Sequence, residues 1–201
     1  VLNFFSRLTY ENILSPMILS RSSGNNVVLG IVNACMGIGG IIGGLLVSIK
    51  KESKKKANMI YISAAVSFLL GDLIMATGRN VFFWSFAAFA ASLPIPFIMA
   101  EQNVILYKRI PENIQGRVFA VRNAVQYSTI PFGILLGGYL ADYIFEPFMR
   151  SKTGIVSFLE ILVGNGAGSG MAVMFLCTGV CGFAMSILSL HSKKIQKLND
   201  C

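Results

Sequence analysis

Two short groups of polar side chains interrupt a strongly apolar sequence, and these are the residues whose types suit chemistry. The groups are Arg7, Glu11 and Asn12 near the start of the chain, and Glu101, Gln102 and Asn103 in its middle. A carboxylate that meets and then leaves a guanidinium can bind and release a proton. Amide side chains can donate to and accept from polar parts of a small molecule. We therefore expect these six residues to line a pathway for protons and a small-molecule substrate.

The sequence lacks the patterns that enzymes and metalloproteins require. Its single histidine, His191, lies beside a basic tail, and the four cysteines have no metal-type spacing. No phosphate-binding loop or pairing of a nucleophile with a base is present. We therefore expect no enzymatic activity, no metal and no cofactor.

The elements that carry the polar groups are apolar runs of membrane-spanning length. Hydrophobic residues make up 54% of the chain and charged residues only 13%, whereas soluble domains carry about 25% charged residues. A helix needs about 20 apolar residues to cross the hydrocarbon layer. Six segments approach that length, and they cover residues 1–20, 27–49, 59–77, 81–107, 124–145 and 171–190. Because a backbone in lipid must satisfy its own hydrogen bonds, the sequence predicts an all-α protein embedded in a lipid bilayer.

Basic residues are unevenly divided between the two sides of the predicted segments. The links after segments two and four and the final tail hold five, four and three of them, which is twelve of the 17 Lys and Arg. Short basic loops stay in the cytoplasm, so both ends of the six-segment unit, including the C-terminus, are predicted to be cytoplasmic. The net charge of +8 then reflects topology, and we expect no nucleic-acid partner.

The link between segments four and five resembles a known transporter family. Ile110 and Pro111 are followed by Gln115-Gly116-Arg117-Val118-Phe119, and this order is similar to the Val-Pro-x-x-x-Gln-Gly-Arg-Val-Phe pattern of bacterial macrolide-efflux proteins. That pattern joins the tenth and eleventh helices in this branch of the major facilitator superfamily. The basic run after segment two lacks the Asp-Arg pattern of the superfamily's better-known loop motif.

The resemblance implies both an architecture and an activity. The chain would be the C-terminal six-helix half of a twelve-helix transporter, with the missing N-terminal half as its partner. Its two inverted three-helix repeats would cover residues 1–78 and 79–192, with residues 193–201 as a cytoplasmic tail. The implied function is secondary-active, proton-coupled efflux of amphipathic small molecules or drugs by alternating access in the bacterial cell membrane. The alternative is a non-transporting scaffold or receptor of the same fold.

Two glycine-rich stretches support the predicted repeats. "IIGGLL" at residues 41–46 of segment two is similar to "LLGGYL" at residues 135–140 of segment five. Glycines four residues apart let helix backbones approach closely in membranes. We predict helix contacts at Gly39, Gly40, Gly43, Gly44, Gly133, Gly137 and Gly138. These contacts could be static packing or surfaces that move during transport.

The basic link itself predicts a gate. Gly116 gives a flexible point before segment five, and Arg117 and Arg122 begin that segment close to the cytoplasmic mouth. We expect these three residues to form a conformational latch; simple anchoring of the topology is the alternative. If the helices are arranged as the resemblance implies, Glu101 and Arg7 lie at similar depth around one cavity. Glu101 is then the expected proton-responsive carboxylate and Arg7 its partner. Glu11 is a rival partner for Arg7, and Arg7 could instead reach the interface.

For three further features we expect a structural role. Pro94 and Pro96 predict a kink in segment four. Residues 155–164 are apolar but too short to cross, which favours an interfacial helix. Asp72 and Asp142 lie near the outer ends of their segments, where we expect them to cap or anchor those ends; a role in transport is the alternative.

Overall fold

The computed structural model describes residue 6 and residues 8–50, 56–151 and 154–192, and this described part is helical and contains no strand. Its helices are α1 (Leu14–Arg21), α2 (Asn26–Ile49), α3 (Lys56–Thr77), α4 (Val81–Arg109), α5 (Glu112–Arg150), α6 (Gly154–Val163) and α7 (Ser169–Leu190). Five of them, α2, α3, α4, α5 and α7, are long and apolar enough to cross a membrane.

These five helices confirm five of the six predicted spans. The bounds agree within a few residues except for α5, whose 39 residues extend well beyond the apolar run 124–145. Of the first predicted span, residues 1–20, the described part contains helical residues 6, 8 and 9, a turn and most of α1, whereas residues 1–5 and residue 7 lie outside it. A six-helix arrangement of inverted repeats is therefore not confirmed.

Local breaks interrupt three of the long helices. The α4 helix stops at Ser92 and restarts at Ile95 after a turn that contains Pro94, which confirms the predicted kink. The α3 helix contains a π-helical turn over Ser67–Asp72, and α5 contains another over Ala141–Phe145. Such turns break the regular hydrogen-bond ladder and are frequent at functional sites.

The hydrophobic core lies at one end of the helix bundle, which we call the core end. At this end α1 and α3 finish, α4 and α7 begin, and Ile18, Met75, Trp84 and Phe175 are buried together. The opposite end carries Lys50, Lys56, Lys108 and Arg109, and we call it the basic end. Toward the basic end, the second part of α4, Ile95–Arg109, has no buried residue. The main apolar core therefore lies at the core end, whereas Ile95–Arg109 is at least partly exposed along its whole length.

Two glycines of α2 let this helix lie directly against the break in α4. A Cβ atom on Gly39 would collide with the Phe89 carbonyl and the Ser92 side chain. A Cβ atom on Gly43 would collide with the Leu93 carbonyl. Both glycines are buried, so the two backbones are in contact at a distance that no side chain permits.

The α5 helix makes a similar contact with the segment that precedes α1. Gly133 and Gly137 are its only buried residues between Gln115 and Leu140. A Cβ atom on Gly137 would lie 2.9 Å from both the Leu8 carbonyl oxygen and the Asn12 amide nitrogen. The Asn12 amide also donates to the Ile134 carbonyl oxygen at 2.7 Å. Asn12 thus fixes α5 to the start of the chain.

The other predicted packing glycines differ in their surroundings. Gly40 and Gly44 have no heavy atom of the described chain in reach of an added Cβ atom, whereas Gly138 would be 3.6 Å from the Asn12 amide. Contacts at Gly40 and Gly44 therefore stay a prediction that concerns a surface open in this structure.

Two arginines fasten the short helix α6 to the core end. Arg21 donates to the Gly78 carbonyl oxygen at 3.2 Å and to the Val163 carbonyl oxygen at 2.6 Å. Arg79 donates to the Ile161 carbonyl oxygen at 2.9 Å. Cations at a helix C-terminus satisfy carbonyls that lack partners in the helix. One guanidinium, that of Arg21, therefore ties together the ends of α1, α3 and α6.

We expect Arg21→Met to lower the stability of the fold by about 1.5–3 kcal/mol, because hydrogen bonds to charged groups contribute that much. Burial lowers the pKa of the Arg21 guanidinium, and the nearby Glu146 carboxylate opposes this shift. Thermal unfolding of the purified protein in detergent measures the effect. The control is Arg150→Met, which removes an exposed arginine at the same end. Equal melting temperatures for the two variants would contradict the role of Arg21.

Candidate functional site

The loop between α4 and α5 holds the transporter-like motif, and Gln115 fixes its shape. The Gln115 amide donates to the Ile110 carbonyl oxygen at 3.0 Å and approaches the Tyr107 carbonyl oxygen at 3.5 Å. These carbonyls end α4 and have no partners further along the helix. Gln115 therefore closes the C-terminal end of α4 and sets the start of α5.

An aromatic contact joins the two helices one turn further on. The rings of Tyr107 on α4 and Phe119 on α5 lie 4.8 Å apart between centroids, with planes inclined by 41°. Phe119 is the last residue of the motif, so both the glutamine and the phenylalanine of the motif hold the α4–α5 corner together.

Arg122 connects the helices deeper in the structure. Its guanidinium is half-buried and donates to the Asn103 Oδ1 atom and to the Gln102 Oε1 atom, each at 2.9 Å. The two amides come from successive residues of α4, and the planar guanidinium fork spans both. The structure thus unites a residue predicted for the gate with two residues predicted for the substrate pathway.

A cleft of about 260 Å³ opens beside this contact. It is lined by the polar side chains of Asn103, Arg122 and Gln126 and by the aromatic rings of Tyr107, Phe119 and Tyr127. Tyr107 and Tyr127 are 56% and 60% exposed, so the cleft is accessible from outside. A lining that combines polar groups with aromatic rings suits a molecule that is itself amphipathic.

The charge of Arg122 makes the cleft attractive to ligand acceptors. Both of its hydrogen-bond acceptors are neutral amides, and among the described residues no carboxylate accepts from it. A guanidinium that is partly removed from water and is not neutralised attracts an anionic or strongly accepting group. The arrangement can therefore bind and orient a ligand.

The remaining predicted site residues do not join this cleft. Gly116 and Arg117 are exposed, and Asn12 bonds to the backbone of α5 instead. Glu101 is half-buried on α4 next to the two amides, whereas Glu11 is exposed. Arg7 lies outside the described residues, so its pairing with Glu101 stays a prediction.

Sequence reasoning missed the aromatic part of the cleft and a buried polar group elsewhere. Tyr107 lies four residues before Pro111 and Phe119 eight residues after it, so the two rings stand on either side of the turn that Pro111 predicts. The buried group contains Asp72, whose partner Thr178 lies 106 residues away in sequence. No local pattern could have revealed that pairing.

Five apolar helices that are each long enough to cross a membrane indicate a multi-pass membrane protein, and the polar cleft lies between two of them. The chain is 26% identical over 137 residues to macrolide efflux protein A of Streptococcus pyogenes, which covers 66% of the chain and 33% of that protein. It is 22% identical over 164 residues to the uncharacterized MFS-type transporter YvqJ of Bacillus subtilis, which covers 81% of the chain and 37% of that protein.

These similarities confirm the resemblance to the efflux branch of the major facilitator superfamily that residues 110–119 predict. The chain spans about a third of the length of the curated relatives that it matches. These relatives are named as transport proteins, not enzymes. No family model matches the chain, and no solved structure matches it.

Proposed function

We propose that this chain is the C-terminal half of a secondary-active exporter that expels amphipathic small molecules across the bacterial cell membrane. The observation that carries the proposal is the α4–α5 cleft, in which a half-buried arginine faces aromatic rings within a membrane domain. The similarity to efflux proteins supports the direction of transport. Proton coupling, a second six-helix half and alternating access are parts of the same proposal.

The glycine contacts support an inverted repeat within the chain. Aligning residues 41–46 with residues 135–140 matches Gly43 with Gly137 and Gly39 with Gly133, and all four are buried. The α2 helix of the first proposed repeat packs on α4 of the second, and α5 of the second packs on the segment before α1 of the first. Equivalent glycines thus serve equivalent contacts, as two inverted repeats require.

The unequal packing of the two ends supports alternating access. The core end is closed by buried apolar side chains, whereas the part of α4 nearest the basic end, Ile95–Arg109, has no buried residue and borders an accessible cleft. We place the basic end in the cytoplasm on the positive-inside rule. In this proposal the structure is an inward-facing arrangement, and the cleft is open to the cytoplasm.

Transport by the full-length gene product tests the proposal. Cells that lack the gene should become more sensitive to one or more amphipathic compounds, and restoring the gene should restore resistance. The purified protein in proteoliposomes should then accumulate that compound when a proton gradient is imposed, and should not accumulate it without one. A protein that changes no sensitivity and moves no compound would instead be a scaffold or receptor of this fold.

A further inference from the structure

Asp72 is an ionisable side chain buried within a predicted membrane span, away from the cleft. It is 1% exposed and ends the π-helical turn Ser67–Asp72 of α3. The expectation that it caps or anchors a helix end is wrong, because its side chain makes no capping bond and lies inside the bundle. Ionisable residues inside membrane helices are costly and mark functional sites.

Thr178 on α7 links Asp72 to the last span. Its Oγ1 atom lies 3.1 Å from the Asp72 Oδ2 atom, 3.0 Å from the Met174 carbonyl oxygen and 3.2 Å from the Phe175 carbonyl oxygen. A hydroxyl has one proton to donate and lone pairs to accept with. Thr178 can therefore donate to an ionised Asp72, or accept from a protonated Asp72 while it donates to its own helix. Both forms of the carboxyl group have a partner.

Tyr10 completes the group from the segment before α1. Its hydroxyl is buried beside the Asp72 carboxyl group, close enough to interact with it but outside regular hydrogen-bond geometry. Its ring packs edge-on against Phe175 at 5.3 Å between centroids. A buried hydroxyl without a regular hydrogen bond is an unfavourable arrangement, so a small movement that brings Tyr10 onto Asp72 would be favoured when the carboxyl group is ionised.

The packing around Asp72 admits a proton more readily than a larger ion. A Cβ atom on Gly179 would lie 2.9 Å from the Asp72 Cβ atom, and one on Gly71 would lie 2.9 Å from the Tyr10 hydroxyl. On the other side, Thr178 borders an apolar cavity of about 160 Å³ between α5 and α7.

The other ionisable side chains of the surrounding elements lie at other positions, so Asp72 is the carboxyl group in contact with Thr178. The Val81–Ser92 part of α4 contains none, and on α3 the nearest toward the basic end is Tyr61, about 16 Å away along the axis. Those on the other packed elements and at the core end are Tyr10, Glu11, Arg21, Arg79, Asp142, Tyr143, Glu146, Arg150, Glu160, Cys177 and Cys181, with His191 at the far end of α7. Arg7 lies outside the described residues.

We propose that Asp72 is a proton-exchange site of this membrane domain and that Tyr10 and Thr178 respond to its protonation. Uptake forms an O–H bond on the Asp72 carboxylate and converts one hydronium ion into water; release transfers the proton back to water. Ionisation draws the Tyr10 hydroxyl toward α3, and protonation frees it. The site would therefore couple proton binding to movement of the first segment against α3 and α7. This coupling rests on the proposed transport function, whereas proton exchange at Asp72 does not.

Infrared titration of the purified full-length protein tests proton exchange directly. The carboxylic-acid C=O band of a buried residue should change with pH in the wild type, be absent in Asp72→Asn and persist in the control Asp142→Asn. Asp142 is exposed near the end of α5 and matches Asp72 in type. Thr178→Val and Tyr10→Phe should each shift the frequency of the band. An identical pH response in wild type and Asp72→Asn would overturn the proposal, as would a band that responds to sodium and not to pH.

A flux assay distinguishes a failure of proton coupling at Asp72 from a failure of the proposed transport function. The assay uses proteoliposomes and the compound to which cells lacking the gene become sensitive. Asp72→Asn should reduce its proton-driven accumulation by about tenfold or more, because no other residue can replace a proton-relay carboxylate. Exchange of labelled for unlabelled compound across the membrane without a gradient should stay within about twofold, since that process moves no net proton. Unaltered accumulation would overturn the coupling at Asp72. A wild-type protein that neither accumulates nor exchanges the compound would refute the transport function, while the infrared result would stand.

Discussion

Gly43→Ala will lower the melting temperature of the protein sharply, whereas Gly44→Ala, one residue along, will leave it unchanged or raise it. An added methyl group at Gly43 would collide with the Leu93 backbone, which cannot move aside, while the same group at Gly44 meets no atom of the described chain. Overpacking of this kind costs about 1–3 kcal/mol. Alanine in place of an unpacked helical glycine gains about 1 kcal/mol.

The proposed repeat predicts the same difference in stability between two neighbouring glycines of α5. Gly137→Ala should be destabilising, because its methyl group would crowd the Leu8 carbonyl oxygen and the Asn12 amide at 2.9 Å, whereas Gly138→Ala would place it at an ordinary contact distance of 3.6 Å. Thermal unfolding of the four variants in detergent gives the comparison. Sensitivity at both members of each glycine pair, or at neither, would refute the assigned helix contacts.

Arg122→Gln will abolish most transport by the full-length gene product while leaving its abundance in the membrane near normal. The substitution removes the positive charge from the cleft and the shared donor of the Gln102 and Asn103 oxygens, both of which are only partly buried. We expect a reduction in transport of about tenfold or more, since a loss of 1.4 kcal/mol in ligand binding corresponds to a factor of ten.

The controls separate charge from geometry. Arg122→Lys keeps the charge but cannot span both amides, so it should retain part of the activity. Arg109→Gln removes an exposed arginine of the basic end and should transport normally. Equal activity of wild type and Arg122→Gln would exclude the cleft from the transport pathway. The latch hypothesis predicts separately that Arg117→Ala also impairs transport. If this variant transports normally, Arg117 serves only to anchor the topology.

Hydropathy predicted the five spans because lipid imposes one solution on the backbone, and Pro94 predicted the break in α4 for an equally local reason. The glycine spacing predicted that α2 and α5 make close contacts, but it could not distinguish Gly43 from Gly44. Both have the same spacing, and only the rotation of the helix about its axis decides which one faces a neighbour. Spacing alone also could not show which of the two predicted gate arginines, Arg117 or Arg122, meets α4.

Asp72 illustrates a different limit of the sequence. Its place near the end of an apolar run is typical of an interfacial residue, and its true environment depends on Thr178 and Tyr10, which belong to distant parts of the chain. Pairings of this kind arise from the three-dimensional packing of α3 against α7.

The concentration of the core at one end has a pharmacological consequence. A small molecule that fills the α4–α5 cleft would keep the two helices at their present separation. It would do so without displacing any buried side chain, because no residue that lines the cleft is buried. Since it would bind this arrangement and not one with the basic end closed, it would raise the melting temperature in proportion to its occupancy and arrest turnover. Compounds that stabilise the protein against heat would therefore be the first to examine as inhibitors.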